Sequence, residues 1–418
     1  MQTGLTSGAI DPTSLTEVGS WVTVVCNVAN TWTGALVKPW RTSQMKKSLV
    51  ALAVLAASGA AMAQSSVTIW GVLDTALTNA SGSIAKKTSM NTSSSSSSQL
   101  GFRGVEDLGG GMSALFWLEA GVANDSGSGA GTSTNNQTGG NNAAANGTQG
   151  LTFNRRSTAG LAGAMGELRI GRDYTPQFWN LTAYDPFYTN GIGGQVMMNG
   201  AALVPGGTSG TFVRSSNGVT WLWNHAVNGS RSSGGQGFSA EVQHYYGENA
   251  SNVAAPVGAN DGTGTGVRLG YIAGPLSVHY ANSSTTFKSQ SATTGDVKTS
   301  NLAGSYDLGV AKVLAQTATD KVGATLQGKG RLMGLTAPMG ATTFKVASSQ
   351  YETNAAGNPT AKKTVFGLEQ ALSKRTYVYA TYARVANSGG QATVVGGGAV
   401  TAANQSSTGT EVGLRVGF

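Results

Sequence analysis

Apolar and polar residues alternate with a period of two in many short segments of this chain, and this pattern restricts the possible folds more than any other feature. The C-terminus shows it most clearly: one face carries Val412, Leu414, Val416 and Phe418, and the other carries Glu411, Gly413, Arg415 and Gly417. The same alternation occurs near residues 67–74, 99–103 and 238–243. Successive side chains of a β-strand point to opposite faces. Each segment is therefore predicted to be a strand with one apolar and one polar face.

This alternation also fits a water-soluble β-sandwich, so the N-terminal region bears on the choice of fold. From Met45 the chain has a basic start, a short apolar run and an Ala-x-Ala sequence that ends at Ala63. These are the three parts of a secretory signal peptide. We interpret residues 45–63 as the signal peptide and residues 64–418 as the mature barrel. Residues 1–44 are interpreted as a non-native extension from an upstream start codon, with a genuine extension as the alternative.

Composition narrows the class further. Charged residues make up 11% of the chain and hydrophobic residues 40%, whereas an ordinary soluble domain has roughly 25% charged residues. The mature segment has no apolar run of the length that a membrane-spanning helix needs. The single cysteine, Cys26, precedes the signal peptide, so no disulfide is expected in the mature chain. Low charge with ordinary hydrophobicity suits strands whose outer faces contact lipid.

Aromatic residues and connections support a barrel in a membrane. Aromatic residues cluster where strands are expected to end, as in interfacial girdles: Tyr377, Tyr379, Tyr382, Trp221, Trp223, Tyr245 and Tyr246. Backbone groups in lipid must all pair internally, so the strands must close without a free edge. The sequence therefore predicts an all-β fold, a transmembrane antiparallel β-barrel.

The spacing of the connections predicts the size of this barrel. Short turns are expected near residues 107–111, 163–166, 274–275, 307–309, 338–340 and 373–375. Long polar loops are expected at residues 81–98, 124–149, 249–266 and 387–407. At about 10 residues per strand, the mature length accommodates roughly sixteen strands. Barrels of that size leave an aqueous channel.

Several motifs resemble one known family in order along the chain. They lie at residues 64–74, 100–111, 153–157, 166–173, 372–376 and 412–418. Together they resemble the general porins of β-proteobacterial outer membranes, and most closely the anion-selective porins of comamonads. This resemblance implies a sixteen-stranded homotrimer in the cell outer membrane, in contact with lipid and lipopolysaccharide. It also implies a third loop, at about residues 175–210, that folds inward and narrows the pore.

The resemblance also implies which side chains line the constriction. Arg155 and Arg214 match a ladder of arginines on the wall of the family's pore, whereas Gln99 replaces a third arginine. Arg103 lies on the same strand face as Gln99 and partly compensates. In the third loop, Asp185 is expected to supply the opposing charge. Fixed charges at a narrow point set the ion preference of a pore.

Two further residues near the ladder complete the candidate set. Arg172 and Asp173 directly precede the third loop and are candidate lining residues. Arg155 and Arg156 are adjacent, so a regular strand can turn only one of them inward, and the resemblance selects Arg155. The alternative for each arginine is a position on the rim or surface, bound to water or lipopolysaccharide.

The predicted function is a porin for passive diffusion of small hydrophilic solutes and ions, with a weak to moderate anion preference. The alternatives are a substrate-specific outer-membrane channel and, from another class, a barrel adhesin or surface enzyme. The three histidines, His225, His244 and His279, lack the spacing of a metal site. The glycine-rich stretch 261–266 lacks the ending of a phosphate-binding loop. We therefore expect no enzymatic activity, no cofactor or metal, and no nucleic-acid partner.

Overall fold

The computed structural model describes residues 66–129, 131–132, 136, 150–203, 211–226, 235–252, 258–287, 296–324 and 326–418. The predicted N-terminal extension (1–44) and signal peptide (45–63) lie outside the described residues, as does most of the predicted loop 124–149.

The described chain is mostly strand. Its strands are β1 (Ser66–Ser81), β2 (Lys86–Thr92), β3 (Gln99–Gly109), β4 (Met112–Ala123), β5 (Ser128–Gly129), β6 (Arg156–Gly163), β7 (Gly166–Tyr174), β8 (Arg214–Trp223), β9 (Gly237–Tyr245), β10 (Gly264–Ala273), β11 (Leu276–Thr285), β12 (Val297–Asp307), β13 (Lys312–Val322), β14 (Leu326–Met339), β15 (Thr342–Thr353), β16 (Thr360–Ala371), β17 (Thr376–Ser388) and β18 (Ser407–Gly417). Helix α1 (Pro176–Ala183) and a 3₁₀ helix (Val196–Leu203) lie between β7 and β8. None of the described helices has the length and apolarity required to span a bilayer.

The strands close into one antiparallel barrel. Neighbours along the chain pair with each other, and β1 pairs with β18 to complete the ring. Strands β2 and β3 pair with successive parts of β1 and together occupy one position in the wall. Strand β5 has two residues and pairs with the end of β4. The wall therefore has sixteen positions, which confirms the predicted barrel.

The two faces of the strands differ in polarity as predicted. On β18, Val412 is 62% exposed and Phe418 is 50% exposed, whereas Glu411 on the opposite face is 1% exposed. Leu414 and Val416 also point outward. Apolar side chains thus cover the outer surface, where they can contact lipid, and polar side chains face the interior.

The predicted aromatic girdle is only partly correct. Trp221, Trp223, Tyr246 and Tyr382 lie on the outer surface. Tyr245 and Tyr379, by contrast, are buried in the interior, and Tyr377 lines an interior cavity. The face that an aromatic side chain occupies depends on the alternation and register of its strand. Closeness to other aromatic residues in the sequence does not determine it.

The connections fall into the two predicted kinds. Each predicted short turn joins two consecutive wall strands at one end of the barrel, as at Gly163–Gly166 and Gly274–Pro275. Because connections alternate between the two ends of an antiparallel ring, the described parts of the longer connections, such as that between β17 and β18, lie at the other end. The predicted loop 81–98 is wrong in part, because residues 86–92 form β2 and continue the wall. Residues 82–85 connect β1 to β2, and Ser93–Ser98 interrupt the wall strand between β2 and β3.

The described parts of the third loop (residues 175–203 and 211–213) lie inside the barrel, as predicted. Helix α1 contacts β9–β12, and the 3₁₀ helix contacts β13–β16. Wall side chains bind the loop backbone: the Lys363 ammonium donates to the Gly194 carbonyl at 2.7 Å, and the Asn301 amide donates to the Gln177 carbonyl at 2.9 Å. Loop side chains such as Leu181 and Met197 form an apolar core with this wall. The loop is therefore fixed to one half of the barrel.

Candidate functional site

Two arginines converge on one tyrosine inside the barrel. Tyr174 ends β7, and its hydroxyl oxygen accepts hydrogen bonds from Arg155 Nη2 at 2.6 Å and from Arg214 Nη2 at 3.0 Å. The Arg214 guanidinium lies 4.4 Å from the centre of the Tyr174 ring. Arg155 Nε also donates to Glu119 Oε1 at 2.7 Å. Three wall regions thus hold two cations and one carboxylate around a single phenol.

Both Arg155 and Arg156 reach the interior, so the prediction that only one could do so is wrong. The alternation rule applies within a strand, but β6 begins at Arg156. Arg155 precedes it, with its backbone N–H bonded to the Glu119 carbonyl. The Arg156 side chain is 2% exposed and lies 4.5 Å from the centre of the Trp117 ring.

Behind the Tyr174 cluster, the wall contains a buried ion network. Arg169 Nε lies 2.5 Å from Glu167 Oε1, and Arg169 Nη1 lies 3.1 Å from Asp173 Oδ2. Arg156 Nε lies 3.6 Å from the same Asp173 oxygen. The predicted lining residue Asp173 is therefore 3% exposed and compensated by two arginines. The two arginines compensate its negative charge, because a buried carboxylate requires such partners.

A bulge in β7 sets the direction of the residues before the third loop. The pairing of β7 with β8 shifts between Gly171 and Asp173, and Gly171 has φ +125°. Arg172 then donates from Nε to the Asn154 carbonyl at 2.6 Å and from Nη1 to Ser216 Oγ at 2.7 Å. Arg172 is partly exposed in the interior. Bulges commonly redirect side chains in this way.

Strand β3 places Gln99 and Arg103 on the inner face, as its alternation predicts. The Arg103 guanidinium lies 5.3 Å from the centre of the Trp117 ring. Gln99 is opposite Gly121, which lies beside Arg155. The position that would carry a third arginine in the family thus borders the cluster and is occupied here by a neutral amide.

Asp185 does not line the constriction, contrary to the prediction. It is 1% exposed, and its carboxylate accepts backbone N–H bonds from Phe187 at 2.9 Å, Thr189 at 3.1 Å and Gln195 at 3.1 Å. Burial raises the pKa of Asp185 to about 6, although these bonds oppose that shift. The residue shapes the third loop from within.

A second charged group lies nearer the turn end of the barrel. Lys345 Nζ is 2.6 Å from Glu369 Oε1, and Arg415 Nη1 is 3.9 Å from the same oxygen. These residues line a cavity of about 440 Å³ together with Tyr188, Lys312 and Tyr377, among others. Among the described residues, no group of histidine, cysteine, aspartate and glutamate has the arrangement of a metal site.

Sequence reasoning missed several interior residues that hold the candidate arginines. Glu119 and Trp117 alternate with the apolar Phe116 and Leu118, so their inward direction could have been read from the period of two. The inward direction of Tyr174 could not be predicted from the period of two, because the bulge in β7 interrupts the alternation before this residue.

This chain is similar to known proteins in both sequence and structure. The model of the Gram-negative porin family matches residues 48–390. Outer membrane porin protein 32 of Delftia acidovorans is 35% identical over 393 residues, which cover 90% of this chain and 100% of the relative. An outer membrane porin protein of Bordetella pertussis is 29% identical and covers 81% of this chain and 94% of the relative. The solved anion-selective porin from Comamonas acidovorans superposes with a TM-score of 0.69 at 28% identity, covering 85% of this chain and all of that chain. Family match, sequence relatives and barrel agree, and the chain belongs to the Gram-negative porins of the outer membrane.

Proposed function

We propose that this porin forms a water-filled channel that favours small anions, with Arg155 and Arg214 as the main lining charges. The observation that carries the proposal is the convergence of both guanidinium groups on the Tyr174 hydroxyl, with Glu119 as the carboxylate bonded to Arg155. The anion selectivity named for the Comamonas acidovorans structure supports the same sign of preference.

The physical argument rests on charge and hydration. A narrow pore strips part of an ion's hydration shell, so fixed charges near the path act with little screening. The positive charges near the path outnumber the one nearby carboxylate, Glu119: they are Arg155, Arg214 and the partly exposed Arg172. Asp173 and Glu167 are paired with Arg169 in the buried ion network. The excess positive charge attracts anions and repels cations. Gln99, in place of a third arginine, makes this preference moderate.

Ion selectivity in planar bilayers tests the proposal. We expect the purified protein in a KCl gradient to give a reversal potential of the sign for chloride preference. Arg155→Ala combined with Arg214→Ala should lower the chloride-to-potassium permeability ratio by roughly threefold or more, since two nearby charges are lost. Arg331→Ala is the matched control, because Arg331 is exposed and bonded to Gln350. Cation preference in the wild type that the double substitution leaves unchanged would contradict the proposal.

We also propose that the channel is a homotrimer that contacts lipid and lipopolysaccharide. The support is the sequence relationship to outer membrane porins and the continuous apolar outer surface of the barrel. Chemical cross-linking in detergent should yield a ladder that ends at three subunits. A single monomer band at every cross-linker concentration would contradict the assembly.

A further inference from the structure

The run Ser93–Ser98 interrupts a wall strand and folds into the barrel. Thr92 of β2 pairs with Thr75 of β1, and Gln99 of β3 pairs with Val72. A regular strand needs only two residues to span the intervening positions of β1, but six serines are present. Ser94, Ser97 and Ser98 are buried, at 4%, 8% and 1% exposure. The extra residues therefore occupy the interior rather than an outer loop.

The run is anchored on the Asp74 carboxylate. Backbone N–H groups donate to Asp74 from Ser94 at 3.1 Å, Ser95 at 3.1 Å and Ser96 at 2.8 Å. The Tyr379 hydroxyl donates to the same carboxylate at 2.5 Å. Successive N–H groups around one anion form a strong binding concavity. Asp74 is consequently 0% exposed, although its side chain points into the barrel.

The same run contacts the carboxylates of Glu369 and Glu411. The Ser95 hydroxyl donates to Glu369 Oε1 at 2.6 Å. Ser94 and Gly191 of the third loop meet above Glu411: a Cβ on Gly191 would lie 2.3 Å from the Ser94 carbonyl oxygen and 2.9 Å from Glu411 Oε1. Glu411 is 1% exposed. The Ser97 hydroxyl also donates to Asn190 Oδ1 at 3.1 Å, which joins the run to the third loop.

We infer that Ser93–Ser98 is a selectivity-determining element that hides the carboxylates of Asp74 and Glu411 from the permeating ions and, through Ser95, holds Glu369 in its ion pair with Lys345. Strands β1, β16 and β18 each bring one of these acids to the inner wall. The N–H groups of Ser94–Ser96 and the Ser95 hydroxyl direct the positive ends of their dipoles toward Asp74 and Glu369, and Ser94 lies beside the buried Glu411. The Arg155 and Arg214 charges are then opposed by little accessible negative charge. This inference rests on the proposed anion preference of the channel.

A deletion designed from the pairing of β1 with β2 and β3 tests this inference directly. Deleting Ser94–Ser97 leaves Ser93 and Ser98 to pair with Asp74 and Leu73, so that β2 and β3 become one continuous strand. Reversal potentials in a KCl gradient should show the chloride-to-potassium permeability ratio falling by roughly threefold or more, because the uncovered carboxylates attract cations. The same deletion combined with Asp74→Asn, Glu369→Gln and Glu411→Gln should not lower the ratio below that of the triple variant alone.

A milder variant covers the case in which the deletion does not fold. Ser95→Ala keeps the length and the register but removes the hydroxyl bonded to Glu369, and we expect a smaller shift of the reversal potential toward cations. Ser126→Ala, which removes a hydroxyl in an exposed loop, is the control. An unchanged potential in the folded deletion variant overturns the inference, and so does an unchanged potential in Ser95→Ala where the deletion does not fold. A wild type without anion preference instead overturns the proposed function.

Discussion

At the scale of single residues, the interior of this barrel holds partly buried arginines beside arginines that are fully buried in ion pairs. Arg155 and Arg214 share the Tyr174 hydroxyl and are partly buried, whereas Arg169 is fully buried and paired with Glu167 and Asp173. Alternation predicts that a side chain points inward, but it does not predict whether an oppositely charged side chain lies beside it. The direction of Arg103 was therefore predictable, and the compensation of Asp173 was not.

Asp185 offers a pH-dependent test at this scale. Its pKa is about 6 in the folded protein against an ordinary value of 3.8, because it is buried in the third loop. A raised carboxyl pKa means that the folded state binds the proton more tightly, so the ionised group costs stability as the pH rises from about 4 to about 6, and this cost persists above. Asp185→Asn removes this cost. We expect the melting temperature of the variant minus that of the wild type, in detergent, to be larger at pH 8 than at pH 4.

A pH-independent difference between the two melting temperatures would contradict the assignment of Asp185 as a buried group. The matched control is Asp307→Asn, because Asp307 ends β12 and its side chain is half-exposed near Lys312. Its melting temperature should change little relative to the wild type over the same range.

At the scale of elements, the strands were predictable and the irregularities between them were not. Strand β18 is predicted by three apolar residues at a period of two, a pattern that Phe418 continues directly after the strand. The third loop and its position followed from family resemblance rather than from periodicity. The bulge at Gly171, the start of β6 after Arg155 and the inward fold of Ser93–Ser98 depend on contacts with distant strands. A low-complexity run of serine carries no pattern that distinguishes an outer loop from one anchored to Asp74.

The bulge at Gly171 can be tested with a matched glycine. Gly171 has φ +125°, and a Cβ there would lie 2.1 Å from the Ser157 carbonyl oxygen. Gly340, in a turn, has φ +62° and nothing within 4 Å of a Cβ. We expect Gly171→Ala to cost roughly 2 kcal/mol or more and Gly340→Ala about 1 kcal/mol. Denaturant unfolding in detergent measures both; equal costs would show that the bulge is not under steric constraint.

At the scale of the whole molecule, closure of the ring leaves no unpaired strand edge in the lipid. Closure depends on β1 and β18, the first and last strands. Phe418 N–H donates to the Gly71 carbonyl at 3.0 Å, and Gly71 N–H donates to the Phe418 carbonyl at 3.1 Å. The Phe418 ring lies over Gly71, where a Cβ would be 2.3 Å from it. The last residue thus closes the seam.

Removal of Phe418 should therefore impair folding into membranes. Without it, two backbone hydrogen bonds at the seam are lost in a region where water does not replace them. We expect the folded fraction in liposomes, measured by the heat-dependent shift on gels, to fall well below that of the wild type. Phe366→Leu, which changes an outward aromatic residue away from the seam, should fold normally. Equal folding of the deletion variant would show that the seam closes without its terminal residue.

An aqueous, positively lined passage through the sixteen-position barrel is tested most directly by a planar-bilayer recording of the purified protein in a KCl gradient. We predict stepwise insertion of open channels, with a current proportional to voltage and a reversal potential of the sign for chloride preference. An absence of conductance from a folded protein, or a reversal potential of the sign for potassium preference, would contradict this prediction.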